Sequence, residues 1–308
     1  MLRYPSIRRR WKRVVKYRTL LFMLMPGMAF FIIFHYTPMY GVTLAFKDFR
    51  FIDGILGSPW VGLKYFRKAF ADPSFYKVLR NTVFISFYKL LFGFPVPILF
   101  ALLLSELPGT RFKKVVQTVS YLPHFISWVI LAGIFITIFS LDGPINGVRR
   151  FLGMKQVVFL AGRSYFRSIL VVTDIWQSFG WNSVIYFAAI SGIDPELHEA
   201  AHLDGASRFQ RTVRITLPLL SPVIAILLIL RMGSILNAGF DQIFNMYNAS
   251  VYEVADIIDT YVYRKGLVEM QYSLSTAVGL FKSGIALILI VTTNQIVKLL
   301  GGEEYTLW

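Results

Sequence analysis

Six stretches of mostly apolar residues, each about the length of a bilayer-crossing helix, interrupt this chain. A helix rises about 1.5 Å per residue, so about 20 residues cross the hydrocarbon layer. Inside that layer no water can satisfy an open N–H or C=O, so a spanning segment must close its own hydrogen bonds as a helix. The runs cover residues 20–37, 82–104, 116–139, 168–190, 217–236 and 276–300. They predict an all-α integral membrane bundle of about six transmembrane helices, a domain over residues 20–300. A basic segment at 1–19 precedes it and a short tail at 301–308 follows. Pro26 inside the first run, with no small-residue cleavage site before Lys47, argues against a cleavable signal peptide.

Composition agrees. The 308 residues are 56% hydrophobic and only 16% charged, against about 25% charged in soluble domains. There is no cysteine, which excludes disulfides and thiolate metal sites. The formal charge of +15 reads as basic residues at the ends of membrane spans; no nucleic-acid motif accompanies it. Arg3, Arg8, Arg9, Arg10, Lys12, Arg13, Lys16 and Arg18 precede the first span and predict a cytoplasmic N-terminus. With six spans the C-terminus is cytoplasmic too. Basic residues divide almost evenly between the two sides in total, so the orientation rests on that first cluster. Outer loops are then expected at 45–80, 140–167 and 237–275, the last with a helix over 253–264 across the outer mouth.

The inner loop at 191–217 holds the most ordered pattern. Asp194 and Pro195 start a helix, a carboxylate cap followed by a proline where no N–H is needed. Gly205 supplies a left-handed turn after Leu203. Ser207 and Gln210 form a capping box for a second helix to about Ile215, with Pro218 opening the fifth span. Small residues (Ala200, Ala201, Ala206), apolar knobs (Leu203, Phe209) and charges (Glu199, Arg208, Arg211, Arg214) suit docking into a groove on another protein. The same loop spells H-E-x-x-H in His198, Glu199 and His202, the spacing of zinc proteases. A third ligand is lacking: His35 and His124 belong to other spans, and Asp204 is only two residues beyond His202. The loop also lies outside the bilayer, so catalytic and metal residues are expected to be none. No G-x-x-x-x-G-K-[ST] occurs; Gly147 and Gly153 are followed by Met154 rather than lysine.

Ionisable residues within spans mark pathways. Lys89, Asp174 and Lys282 fall about 9–12 Å in from the outer edge, and Arg231 also lies in the outer half. One reading places all four in a central cavity that favours an anionic or strongly hydroxylated solute. The other pairs Asp174 structurally with Arg231 or Lys282 while the rest snorkel outward. Trp176, Gln177, Trp181, Asn182 and Tyr186 add aromatic faces and amides to the fourth span, groups suited to sugars and equally common as membrane packing.

Glu199-Ala200-Ala201, Asp204-Gly205-Ala206 and Ile215-Thr216-Leu217-Pro218 together resemble the E-A-A-x-x-D-G-A…I-x-L-P signature of permease subunits of binding-protein-dependent ABC importers. The likeness covers most of the chain, and residues 237–267 look like the oligosaccharide and polysaccharide branch. Val213 departs from the larger aromatic often found there. The resemblance implies that Glu199, Ala200, Ala201, Leu203, Asp204, Gly205, Ala206, Arg208, Phe209, Leu217 and Pro218 couple the spans to a separate ATPase. It implies a second and similar permease, two cytoplasmic ATPase subunits that bind the ATP and magnesium, an external solute-binding protein and a saccharide cargo. It places the chain in the inner membrane. Uronate oligosaccharides fit both the cationic cavity and this branch, with neutral oligosaccharides and lipid-linked solutes left open beside them. An ion-coupled secondary transporter built on Asp174 and a membrane zinc protease are the alternatives.

Overall fold

The computed structural model describes residues 16–302 and 305–307. The basic cluster from Arg3 to Arg13 and the tail residues Glu303, Glu304 and Trp308 lie outside the described residues. In chain order the helices are α1 (Arg18–Phe46), α2 (Lys64–Ala71), α3 (Pro73–Glu106), α4 (Thr110–Tyr121), α5 (Trp128–Ile138) and α6 (Pro144–Phe151). They continue as α7 (Arg163–Ser191), α8 (Pro195–Leu203), α9 (Arg208–Gly233), α10 (Phe240–Met246), α11 (Ile258–Tyr263) and α12 (Tyr272–Gly301). Among the described residues there is no strand, only an isolated bridge between Lys47 and Trp60.

Among the described residues four helices, α1, α3, α9 and α12, are long and apolar enough to cross a membrane. The third expected span is not straight. The helix running from α4 through the turn Leu122–Phe125 meets α5 at 101°, and the break falls at Ile126 and Ser127. Pro123 has no N–H to continue a helix, and Ser127 is extended before α5 begins. The apolar run at 116–139 conceals this elbow because its residues are themselves mostly apolar. Counting the bent pair as one span gives five. The fourth expected span is α7, 29 residues long and so about 44 Å. It is less apolar than the others because Asp174, Gln177, Ser178, Asn182 and Ser183 interrupt it.

Proline also shapes the spans that stay continuous. A helical proline clashes with the carbonyl four residues back. The helix widens by one residue per turn at Ile32–Tyr36 before Pro38, and at Thr212–Thr216 before Pro218. The second loop helix therefore does not end near Ile215; it runs unbroken from the Ser207 cap into the fifth span.

The third outer loop departs furthest from expectation. Instead of lying over the mouth, residues 237–268 fold into the bundle and supply much of its core. Ile243, Met246, Val251, Ala255 and Ile257 pack on Ile85 of α3, Leu131 and Phe135 of α5, and Phe166, Ile169 and Leu170 of α7. Ile258 and Tyr261 pack with Phe75 and Val78 of α3 and Leu274 and Val278 of α12. The helix expected over 253–264 is split at Asp256 and Ile257 into a single turn, Tyr252–Ala255, and α11. The Asp256 carboxylate accepts hydrogen bonds from Thr260 Oγ1 and Arg264 Nη2, each at 2.6 Å, and this starts α11 afresh. Buried polar groups anchor the segment: Asn81 Nδ2 donates to the carbonyls of Glu253 and Asp256, and the Ile258 N–H donates to Thr82 Oγ1.

Candidate functional site: a central cavity and an exposed helical loop

A cavity of about 370 Å³ opens between α3, α7 and α9. Its α3 wall is Lys89, Gly93, Phe94 and Pro97; Pro95 and Pro97 cannot donate to the carbonyls four residues before them, and the helix breaks step at Phe94. From α7 come Asp174, Ser178, Trp181, Asn182 and Tyr186, which recur on one face at helical spacing. Leu227, Leu230 and Arg231 of α9, with Ser234 just past its end, close it.

Lys89 is 4% exposed and its ammonium has two partners. Its Nζ donates to Asp174 Oδ1 at 2.8 Å and to Gln242 Oε1. Gln242, itself buried, donates at 2.8 Å to the Leu170 carbonyl and to Thr173 Oγ1. Gly239, with φ +96°, leaves room for this lysine: a Cβ there would come within 2.7 Å of Nζ. Arg231 differs. It lies exposed on the cavity wall and joins no ion pair among the described residues. The wall therefore carries one neutralised pair and one cation free to meet a solute.

The structure thus gathers Lys89, Asp174, Trp181, Asn182, Tyr186 and Arg231 at one place. Asp174 pairs with Lys89, not with Arg231 or Lys282. Lys282 lies elsewhere and pairs with Asp259 of α11. Trp176 packs edge-on against Phe135 of α5 at 5.6 Å, and Gln177 donates to the His124 carbonyl at 3.3 Å; neither lines the cavity. Sequence reasoning missed Gln242 and the Gly93–Pro97 kink. The prolines signalled the kink, whereas Gln242 reaches Lys89 only because the outer loop folds inward.

The inner loop takes the predicted helix–turn–helix form. Asp194 Oδ1 caps α8 by accepting from the Glu196 N–H. At the other end the N–H of Gly205 bonds the His202 carbonyl and that of Ala206 bonds the Ala201 carbonyl, with Gly205 at φ +78°. This paired closure needs a left-handed residue after the cap, which glycine supplies without strain. Ser207 and Gln210 exchange both bonds of a capping box. Arg211 Nη1 donates to the His198 carbonyl at 3.4 Å and ties the two helices together. None of the residues of α8 is buried, and Leu203 and Phe209 stand 88% and 77% exposed. Glu199, Ala200, Asp204, Arg208, Leu217 and Pro218 are also exposed, while Ala201 and Ala206 are half-buried. His198, Glu199 and His202 lie on this open helix, and among the described residues no three His, Cys, Asp or Glu side chains form a group that could hold a metal ion.

Comparison with known proteins places this architecture. The sequence profile of the family described as "Binding-protein-dependent transport system inner membrane component" matches residues 93–301. The chain is 44% identical over 292 residues to the polygalacturonan/rhamnogalacturonan transport system permease protein YteP of Bacillus subtilis (strain 168), covering 94% of this chain and 91% of that one. Its fold superposes with TM-score 0.88 on a chain of a bacterial ABC transporter involved in the import of the acidic polysaccharide alginate. The identity is 40%, over 95% of this chain and 99% of the other. A second such structure, of the alginate transporter in complex with an alginate pentasaccharide-bound periplasmic protein, matches with TM-score 0.87 and 39% identity over 95% and 98% of the two chains.

Proposed function

This chain belongs to the family of binding-protein-dependent transport system inner membrane components, and on that premise we propose how it transports. It is a non-catalytic permease subunit of a carbohydrate ABC importer in the membrane. In our reading, the exposed loop from Asp194 to Leu217 seats in a cleft of a separate cytoplasmic ATPase, which binds ATP and magnesium. Closing of an ATPase dimer pulls this loop, and the spans alternate between inward- and outward-facing states, each favoured by a different ligand. A second, similar permease completes the pathway, and a solute-binding protein delivers cargo from outside. Both termini are cytoplasmic.

One observation carries this reading: α7 and α9, which wall the cavity, are joined by the loop that bares Leu203 and Phe209. Force applied at the loop therefore reaches both walls. For the cargo we infer an acidic oligosaccharide of the uronate type. Arg231 faces the cavity without an ion pair, and the names of the relatives speak of polygalacturonan and alginate.

Two assays test these statements. Affinity purification of the tagged chain from detergent should bring down an ATPase, and Gly205→Pro should lose it or uncouple its hydrolysis. A chain that purifies alone, with uptake unaffected by ATP depletion, would instead point to an ion-coupled carrier. In proteoliposomes holding the full complex and its binding protein, uptake of trigalacturonate should exceed that of maltotriose. The reverse order would overturn the acidic cargo and leave the coupling assignment standing.

A further inference from the structure

The elbow between α4 and α5 carries a histidine that transport by the cavity residues alone does not explain. We propose that His124 is a positioning residue, holding Trp181 as a flat stacking surface for one sugar ring in the cavity. This rests on reading the cavity as the sugar path.

The imidazole of His124 lies parallel to the Trp181 indole, 5.0 Å between centroids and 4° between planes. Phe125 meets the same indole edge-on at 5.3 Å and 78°. Two contacts fix the elbow against α7. Gln177, one turn before Trp181 on the same face, donates to the His124 carbonyl. Gly180 lets the α4 backbone come so close that a Cβ there would lie 2.0 Å from the Ser120 carbonyl oxygen. His124 Nδ1 is buried with no hydrogen-bond partner. Stacking on the indole and the backbone of the elbow therefore orient the ring without help from Nδ1.

Trp181 lines the cavity and is 42% exposed. The imidazole overlaps part of one indole face, and in this proposal the opposite face is the one offered to the sugar. An aromatic face is electron-rich and attracts the partly positive C–H groups of a pyranose, and it does so best when its plane is fixed beforehand. Asn182 and Ser178 beside it supply hydrogen-bonding groups for hydroxyls.

The test measures binding of radiolabelled trigalacturonate to the purified full complex, with maximal ATPase activity followed in parallel. His124→Ala should weaken binding about fivefold and leave maximal ATPase unchanged. His124→Phe, which keeps a ring on the indole, should restore binding. Trp181→Ala should weaken binding at least as much, and the double alanine variant no further. Additive losses, failure of the Phe rescue, or ATPase falling in step with binding would each overturn the positioning role. If Trp181→Ala weakens binding while His124→Ala does not, this proposal alone fails. If Trp181→Ala binds like the wild type, or the wild type does not bind trigalacturonate, the reading of the cavity and cargo fails and takes this one with it.

Discussion

At Gly180 the α4 backbone comes so close to α7 that only the lack of a side chain permits it. Gly180→Ala must push two backbones apart in a close-packed interior, a change that costs about 1–3 kcal/mol. We expect a lower melting temperature of the detergent-solubilised chain; an unchanged value would show that the elbow yields easily. The cavity cations should separate in the same assay. Lys89→Met strands Asp174 and Gln242 without their donor. Asp174 is 21% exposed, so the loss stays near 2 kcal/mol, below the figure for a fully buried pair. Arg231→Met strands nothing and should leave melting unchanged while reducing uptake of acidic cargo. Equal destabilisation by both would remove the distinction drawn between them. From sequence all the intramembrane charges looked alike, because depth is readable along a helix whereas partners are not.

At the scale of elements, local chemistry was legible wherever the chain closes on itself. The Asp194 cap, the Gly205 turn and the Ser207–Gln210 box all formed as their residues dictate. Gly205→Ala, which places a Cβ at φ +78°, should fray the end of α8 at a cost of about 1–2 kcal/mol. Faster amide exchange at Ala206, with the spans unaffected, would report it. The segment around α2 depends on pH. Hydrogen bonds from Tyr65 and Lys64 hold the Asp48 carboxyl below its ordinary 3.8, and the bond it accepts helps burial push the Tyr65 hydroxyl up to about 12. At Asp72 burial pushes upward, but hydrogen bonds involving Ser74 and Tyr261 prevail and hold it below 3.8 as well. A lowered carboxyl pKa contributes stability that is present above 3.8 and lost as pH falls through the folded value. Pepsin should therefore spare residues 47–72 just above pH 3.8 and cut them progressively below it, while Asp48→Ala is cut throughout. Cutting that is the same in both proteins at every pH would discount the clasp.

For the whole molecule the long helix α9 matters most, since it carries Phe209 at the loop and Arg231 at the cavity wall. Its widened turn at Thr212–Thr216 is the place where it can give. Glycine at both Arg214 and Ile215 should soften that turn. The expected result is an ATPase that still co-purifies while cargo moved per ATP hydrolysed falls; an unchanged ratio would mean that force travels through α7 instead. The sequence by itself determined the membrane class, the helical fold and the inner loop, because apolar run length and capping are properties of contiguous residues. Tertiary structure decided the rest. It bent the third span at Ile126 and Ser127, inside a run that hydropathy reads as continuous. It drew the segment 237–268 into the core, where Asn81 and Thr82 of α3 satisfy its backbone groups and its own Gln242 donates to the Leu170 carbonyl of α7, all across long sequence separations. It also chose Lys89 as the partner of Asp174 and left Arg231 free. Each outcome depends on which helix faces which, and hydropathy along a single chain does not encode that.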